Sequence, residues 1–492
     1  MRTRLAIAAA GLLVAGPAAG HPGHSNAEKQ PPWQASSEWP DRLITTITED
    51  PATSFSVSWR TDSSVGEAIA QIALATADAR FDLNVLETKK AKTEHVRLDM
   101  IPGPDGPVHI LENHGLPPAH YHSHTFEGLE PDTLYAWRVR GARGRWSPWR
   151  QLRTAPREGP VQFLFFGDAQ TAIRSHITRT FDAASLEAPR ARFAIHGGDL
   201  VNTAMYDKEW AEWFGALGRT HQMIPSVLVA GNHDYVNFDR DEEDPKLFAV
   251  ENKTVAPVWR PQFALPVEPD VPKALRETVY DVRYHEGLHL FVLDSSGVDF
   301  DGQLRWLEGR IVASDARWKL LTMHHALHAN VAGNEHPAHL ERREALLATM
   351  ERTKIDLVVT GHRHSYQRGV YGSEVARFAA GDQQAVDTVF IITASSTKRG
   401  QTKPEVWDAY TEDLKGAVKL SRHGDNTPIY AVFDLDGDTL TYRAMDPTGA
   451  LYDGFTLRKR DGVKILIDDP VVETEPRTRA NTGLYIGWDD LR

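Results

Sequence analysis

At 492 residues the chain exceeds what one hydrophobic core usually supports, and its 41% hydrophobic and 25% charged residues exclude a mainly disordered or fibrous protein. A formal net charge of −12 argues against a dedicated nucleic-acid binder, because an acidic chain repels polyanions. Because the sequence has no cysteine, it offers no disulfide and no thiolate, so any metal must be held by oxygen and imidazole nitrogen.

The first twenty residues have the three parts of a secretory signal peptide. Two arginines precede an apolar run at residues 5–14, and small residues follow up to Gly20. We predict cleavage after Gly20 and a periplasmic or extracellular protein with no membrane segment after cleavage. The competing interpretation, an uncleaved anchor, is disfavoured because the apolar run is shorter than the roughly 20 residues that cross a bilayer. Residues 21–40 lack periodicity and are predicted to form a flexible leader.

Alternating apolar residues between positions 41 and 155 predict an all-β domain. Phe55, Val57 and Trp59 would share one face of a strand, and a similar alternation recurs around Trp137. Residues 129–135 resemble the tyrosine corner of fibronectin type III-like domains. We therefore predict an antiparallel β-sandwich that serves as a scaffold, since it contains no cluster of potential catalytic groups.

Short apolar runs alternate with helical spacing from residue 160 to about 455, which predicts an α/β domain. An Asp-Gly turn at residues 436–438 predicts a hairpin near its end. Residues 456–492 are charged and are predicted to form an irregular C-terminal tail, and the acidic run at 239–244 is predicted to be a solvated loop. The runs that suit buried strands are 161–166, 192–195, 226–229, 288–293, 318–323, 355–359 and 388–393.

Polar side chains follow five of these runs, each at the carboxyl end of its predicted strand. Ligands bind at that edge of α/β sheets because the loops there converge on one crevice. Two aspartates, an asparagine and three histidines suit two borderline divalent ions, with one carboxylate bridging them. Glycines at 167, 198, 231 and 361 would let the backbone turn sharply beside the ions. These predicted metal-binding residues are Asp168, Asp199, Asn232, His324, His362 and His364, and Gln170 is a further candidate.

In this order the motifs resemble those of the metallophosphoesterase superfamily, and among its members the purple acid phosphatases. The resemblance covers about residues 160–455, and the preceding β-domain is also similar to that of plant-type purple acid phosphatases. It implies a four-layer α/β/β/α sandwich with two divalent or mixed-valence metal ions, iron, manganese or zinc, at its centre. One ion would take Asp168, Asp199 and His364; the other would take Asp199, Asn232, His324 and His362. The motifs are Gly167-Asp168, Gly198-Asp199, Gly231-Asn232-His233-Asp234, His324 and Gly361-His362-Arg363-His364.

The resemblance also implies an acid phosphatase-like hydrolase that cleaves phosphate monoesters of small molecules through metal-activated hydroxide. His233 would stabilise the phosphoryl oxygens or protonate the leaving group, with Asp234 orienting it. His325 and His328 are alternative candidates for the acid role, whereas His196 is interpreted as structural. A phosphodiesterase or nucleotidase is the alternative enzyme, and a secreted metal-containing binding protein is the alternative outside enzymes. The sequence leaves the oligomeric state open.

Two positions depart from the purple acid phosphatase pattern. Asn202 stands where those enzymes carry the tyrosine that binds ferric iron and gives the colour, so we predict that this protein is not purple. Tyr206 lies nearby but at the wrong offset. Gln170 stands where they have glycine and other members have a ligating histidine. Its amide oxygen would either bind the metal or make only a hydrogen bond.

Overall fold

A computed structural model describes residues 34–238, 253–326, 337–372, 383–398, 418–423 and 427–469. The predicted signal peptide, most of the predicted leader, the acidic run at 239–244 and His328 lie outside the described residues. Within those ranges, no helix combines the length and the hydropathy that crossing a bilayer requires.

The N-terminal domain is a β-sandwich, as its alternating apolar residues predict. One sheet has the order β10-β9-β3-β4, and the facing strands have the order β1-β2-β8-β5. Trp59 and Trp137 lie buried between them. The hydroxyl of Tyr135 accepts the backbone N–H of Glu130 at 2.9 Å, which is the hydrogen bond of a tyrosine corner. The strands are β1 Asp41–Thr46, β2 Phe55–Asp62, β3 Ile69–Leu74, β4 Val85–Lys90, β5 Lys92–Val96, β6 Met100–Gly103, β7 Gly106–His109, β8 Ala119–Phe126, β9 Leu134–Arg140 and β10 Arg150–Arg153.

The C-terminal domain begins with parallel strands flanked by antiparallel ones. Its first sheet has the order β21-β27-β26-β25-β24-β11-β12-β13, and a single parallel pairing of Thr46 with Ser226 joins it to β1 of the sandwich. The Asp-Gly hairpin is present as β24 and β25. The prediction of an irregular tail from residue 456 is wrong for residues 456–468, which pair in β26 and β27. The strands are β11 Val161–Phe166, β12 Ala191–His196, β13 Ser226–Leu228, β21 Gln383–Ala385, β24 Tyr430–Asp436, β25 Thr439–Met445, β26 Leu451–Arg460 and β27 Val463–Asp468.

A second sheet of seven strands faces the first, in the order β16-β17-β18-β19-β22-β20-β23. Phe193 of the first sheet packs on Tyr284 of the second, with ring centroids 4.6 Å apart. A small hairpin, β14 with β15, lies beside the sheets. The strands are β14 Tyr235–Asn237, β15 Lys253–Val255, β16 Tyr280–His285, β17 Leu288–Val292, β18 Trp318–Thr322, β19 Leu357–Thr360, β20 Gln367–Tyr371, β22 Thr388–Ile392 and β23 Val418–His423.

Helices cover the outer faces of both sheets and complete the four layers. On the first sheet, Phe166 contacts Phe181 and His196 contacts Trp213, because alternate side chains of β11 and β12 point away from the second sheet. On the second sheet, Leu321 packs among apolar side chains of two further helices. The four-layer fold is therefore as predicted. The helices are α1 Thr178–Glu187, α2 Asp207–Leu217, α3 Trp259–Gln262, α4 Phe300–Ala313 and α5 Pro337–Thr353.

Candidate metal centre

Five strand ends deliver the predicted metal-binding side chains to one place between the two sheets. The carboxyl ends of β11, β12 and β13 supply the two aspartates and the asparagine, and those of β18 and β19 supply the three histidines. Asp199, His362 and His364 have positive φ values of 51°, 72° and 49°, which non-glycine residues rarely adopt. Such strain is retained where the surroundings fix a side chain in a functional position.

One group of potential ligands comprises Asp168, Asp199 and His364, whose ligand atoms lie within 4.8 Å of one another. Asp168 is fully buried, and its Oδ2 accepts the backbone N–H of His362 at 2.7 Å. Its other oxygen, Oδ1, has no hydrogen-bond partner among the described residues and lies 3.4 Å from Nε2 of His364. A buried carboxylate oxygen without a donor is costly, and a bound cation would compensate it.

The second group comprises Asp199, His324 and His362, again with ligand atoms within 4.8 Å. Oδ1 of Asn232 lies 3.1 Å from Nε2 of His324 and 2.9 Å from Nδ1 of His362, and these two nitrogens are 3.2 Å apart. Nδ1 of His324 faces the carbonyl of Gly197 at 2.9 Å and donates to it, so Nε2 is the acceptor nitrogen of the neutral ring. Several acceptors therefore converge on one point, which is the arrangement of a metal site with its outer hydrogen bonds in place.

The electrostatics of the centre favour a cation. Burial opposes protonation of His324, but the carboxylates of Asp199 and Asp168 outweigh it and raise the pKa of His324 to about 9. Burial likewise opposes ionisation of Asp199, yet His324 and His233 hold its pKa below the usual range. A divalent ion that binds here would displace the proton that Asp199 and His324 share.

Two glycines show why side chains larger than hydrogen are excluded here. Gly198 has φ of +91°, and a Cβ there would lie 2.5 Å from Nδ1 of His324. A Cβ on Gly361 would lie 2.5 Å from Oδ2 of Asp168. The backbone at both glycines therefore lies directly against predicted ligands, and substitution at either would displace one of them.

The side-chain amide of Gln170 faces the predicted ligands with its nitrogen. The amide nitrogen donates to Oδ2 of Asp199 at 2.7 Å and lies 3.1 Å from Nε2 of His364, so the oxygen points away from both. Of the two roles considered from the sequence, this geometry favours the hydrogen bond over coordination through the oxygen.

His233 lies beside the centre, but a different group orients it from the one expected. Its backbone N–H donates to Oδ1 of Asp199 at 2.8 Å, and its ring Nδ1 faces the carbonyl of Asn202 at 2.6 Å. Burial, together with Lys398, lowers its pKa despite Asp199. Asp234 instead accepts the backbone N–H groups of Leu200 and Gly231, at 3.0 and 2.9 Å. The prediction that Asp234 orients His233 is therefore corrected, since it braces the loop that follows Asp199.

The remaining histidines occupy supporting positions. Nδ1 of His325 lies 2.9 Å from the hydroxyl of Ser295, and its ring centroid is 4.3 Å from that of His362, so it packs against a predicted ligand. His196 is buried among aromatic rings on the outer face of the first sheet, in line with its structural interpretation. Whether His325 takes part in catalysis stays a prediction.

The loop after β12 carries both residues considered in connection with the missing tyrosine, Asn202 and Tyr206. Asn202 is exposed, and its backbone carbonyl rather than its side chain contacts the site, because it accepts from Nδ1 of His233. The hydroxyl of Tyr206 donates to Glu112 of the N-terminal domain at 2.8 Å, so this tyrosine does not replace the absent ligand.

Lys398 is a site residue that our reading of the sequence missed. It lies six residues beyond β22, and its Nζ donates to Oε1 of Gln170 at 3.0 Å and to Nε2 of His233 at 3.1 Å. The apolar run of β22 was recognised from the sequence, and Lys398 is the first basic residue that follows it. Examining the polar residues after every predicted strand would have identified it.

Two facing sheets, with carboxylates and an amide from one and imidazoles from the other, define a metallophosphoesterase-type protein. Comparison with known families agrees: residues 161–366 match the calcineurin-like phosphoesterase model, and residues 40–154 match the N-terminal domain model of purple acid phosphatases. Residues 161–366 therefore form a calcineurin-like phosphoesterase domain, and residues 40–154 form a domain of the kind that precedes it in purple acid phosphatases.

Relatives and a solved structure are also similar to this chain. Purple acid phosphatase 1 of Ipomoea batatas is 26% identical over 288 residues, which cover 55% of this chain and 56% of the relative. Probable purple acid phosphatase 20 of Arabidopsis thaliana is 25% identical over 254 residues, covering 49% and 53%. The chain thus spans about half the length of the curated relatives it matches. Purple acid phosphatase PPD1 of yellow lupin has a TM-score of 0.65 at 16% identity, covering 86% of this chain and 75% of that one, and so shares the fold.

Proposed function

We propose that this protein is a dinuclear-metal phosphoesterase that hydrolyses phosphate monoesters. The observation that carries the proposal is the convergence of two carboxylates, an amide oxygen and three imidazoles from five strand ends. Two ions held by these side chains would supply Lewis acidity and a bound water of lowered pKa. We infer that these six side chains bind the ions directly and that the ions are iron, manganese or zinc.

The chain's own residues would bind and orient the substrate at this centre. His233 is fixed through its backbone to Asp199 and through Nδ1 to the carbonyl of Asn202, so Nε2, which accepts from Nζ of Lys398, is the ring atom that would donate to the substrate when the ring is protonated. Lys398 places an ammonium group beside that atom. Together they supply fixed positive charge and hydrogen bonding where charge develops on a phosphoryl group.

Metal loading followed by a substrate comparison tests the proposal. Purified protein is reconstituted separately with iron, manganese and zinc, bound metal is measured by elemental analysis, and turnover is measured with p-nitrophenyl phosphate and its bis ester. We expect turnover that depends on metal and is faster with the monoester. Faster turnover of the bis ester would favour the phosphodiesterase alternative. No turnover on a broad panel of phosphate esters at full metal loading would favour the binding-protein alternative.

We also infer export of the chain, because residues 1–20 have the pattern of a signal peptide. N-terminal sequencing of protein recovered outside the cytoplasm should give His21 as the first residue. Recovery of the intact N-terminus in the cytoplasm would contradict this inference.

A further inference from the structure

Lys398 brings a positive charge to the mouth of the metal centre from a strand that supplies none of the predicted ligands. We propose that Lys398 binds the phosphoryl group and makes the site select dianionic phosphate monoesters over monoanionic diesters. This inference rests on the proposed function and assigns a specificity-determining residue to the same site.

Both contacts of Lys398 that carry the proposal lead directly to the predicted ligands. Gln170, which accepts from Nζ at 3.0 Å, donates its amide nitrogen to Oδ2 of Asp199 at 2.7 Å. His233, which accepts from Nζ at 3.1 Å, donates its backbone N–H to Oδ1 of the same aspartate at 2.8 Å. The ammonium group is therefore one side chain away from the predicted bridging carboxylate. A phosphoryl group bound at the centre would lie within its reach.

The two acceptors of Lys398 in these contacts are weaker than a phosphoryl oxygen. One is an amide oxygen, and the other is the imidazole nitrogen left as acceptor because Nδ1 of His233 donates to the carbonyl of Asn202. Hydrogen bonds from an ammonium group to an anionic oxygen are shorter and stronger than those to neutral acceptors. Lysine can also turn its three donors freely, so it can follow a substrate oxygen. A bound phosphate would thus draw Nζ from these two acceptors.

Charge is the property by which this lysine would discriminate between substrates. A phosphate monoester carries close to two negative charges near neutral pH, since its second ionisation lies near pH 6, whereas a diester carries one. A cation in addition to the metals therefore attracts the monoester, with its further negative charge, more strongly than the diester. Loss of one charge-assisted hydrogen bond in a partly buried site corresponds to roughly a 10- to 100-fold weaker interaction.

The test compares Lys398→Met, which keeps an unbranched side chain without charge, with Lys398→Arg, which keeps the charge. Lys398→Gln serves as a second uncharged variant should the methionine variant fold poorly. Lys89→Met, at an exposed position on β4, is the matched control. All are loaded with metal, and metal content is measured first. Calorimetric titration with inorganic phosphate then gives a binding constant that does not depend on turnover, and kcat/KM is measured for p-nitrophenyl phosphate and for its bis ester.

We expect unchanged metal content throughout, phosphate binding weakened about 10- to 100-fold in Lys398→Met, and a similar fall in the ratio of monoester to diester kcat/KM. Lys398→Arg should stay within a few-fold of the wild type, and Lys89→Met should match it. Unchanged phosphate binding in Lys398→Met, or equal losses for both esters, would overturn the inference. If the wild type hydrolyses neither ester, the proposed function fails, and the phosphate titration alone decides whether Lys398 forms an anion site.

Discussion

Two clusters of buried polar side chains lie at opposite ends of the loop between β12 and α2. They differ in whether their hydrogen-bond acceptors are paired with donors of the protein. At the start of the loop lies the metal centre with Asp199. At its end, Asp207 opens α2 and accepts both terminal nitrogens of Arg42 at 2.8 Å, with Arg60 at 3.7 Å. The backbone N–H of Asp207 donates to Oδ1 of Asn113 at 3.0 Å. All three partners belong to the N-terminal domain, so this cluster, which we call the domain junction, fastens α2 to the sandwich.

The difference separates a structural cluster from a ligand site. At the domain junction, Arg42 and Arg60 lower the pKa of Asp207 although burial opposes its ionisation, so opposite charges are paired within the protein. At the metal centre, Oδ1 of Asp168 meets no donor from the part of the chain that the structure describes, and the oxygen of Asn232 faces two imidazole nitrogens. An excess of converging acceptors, rather than burial or charge alone, is the feature that marks a place for a cation.

Replacing Asp199 by alanine should break the metal centre and leave the domain junction intact. Because Asp199 is the one residue in both groups of potential ligands, we expect loss of bound metal and a fall in turnover of about 10⁴-fold or more. Elemental analysis and p-nitrophenyl phosphate hydrolysis measure the two effects. Asp461→Asn, in the exposed turn between β26 and β27, is the control. Turnover near that of the wild type in Asp199→Ala would refute the dinuclear mechanism.

The metal centre could be predicted from sequence because each of its predicted ligands closes an apolar strand run, so local pattern and sheet topology place them together. The second sheet's contribution through His324, His362 and His364 followed from the same rule. The domain junction could not be predicted: Arg42 and Asn113 precede Asp207 by 165 and 94 residues, and nothing local marks their contact. The carbonyl of Asn202 that holds His233 was missed for a related reason, since its position depends on the path of a loop. Lys398 follows β22, so the rule that identified the ligands applies to it as well.

Replacing Asp207 by alanine should break the domain junction and leave the predicted ligands in place. Two arginines would remain buried with one carboxylate fewer between them, which typically costs about 3–5 kcal/mol of unfolding free energy. Thermal and urea unfolding measure the loss, and metal content per folded chain should be unchanged. The double variant Asp207→Ala with Arg42→Met removes a charge of each sign and should recover part of the stability. A loss below about 1 kcal/mol in the single variant would place this pair among the weak surface-type ion pairs.

His233 contacts the loop between the two clusters through the carbonyl of Asn202, so its substitution tests whether that loop serves catalysis. Because its backbone rather than its ring contacts Asp199, His233→Ala should keep the metal and lose about 10²- to 10³-fold in turnover, as loss of one positioned transition-state donor does. Metal analysis and kcat with the monoester give both values. His109→Ala, exposed on β7, is the control. Loss of metal in parallel with activity would instead assign His233 a structural role.

Substitution of Glu209 should have the smallest effect on stability, and that effect should depend on pH. Its Oε2 accepts the backbone N–H groups of Asn202 and Thr203, at 2.7 and 2.8 Å, and so holds the loop between the clusters. Burial raises its pKa to about 7, although those two hydrogen bonds oppose the rise. The folded state therefore binds this proton more tightly than the unfolded state, whose pKa is the ordinary 4.5. The stability gained from it is fully present below about pH 4.5 and is lost as pH rises through about 7.

Glu209→Gln removes this titration while keeping an oxygen acceptor for the two N–H groups. Relative to the wild type, the variant should gain about 1–2 kcal/mol of unfolding free energy between pH 5 and pH 8, a value reduced from the full shift because the side chain is partly exposed. Protonation of the metal centre affects both proteins alike and cancels in the difference. Glu344→Gln, exposed on α5, provides the matched comparison. If the free energy of unfolding of Glu209→Gln and that of the wild type change in parallel with pH, Glu209 does not titrate with a raised pKa in the folded state. Only the backbone of the loop would then connect the two clusters.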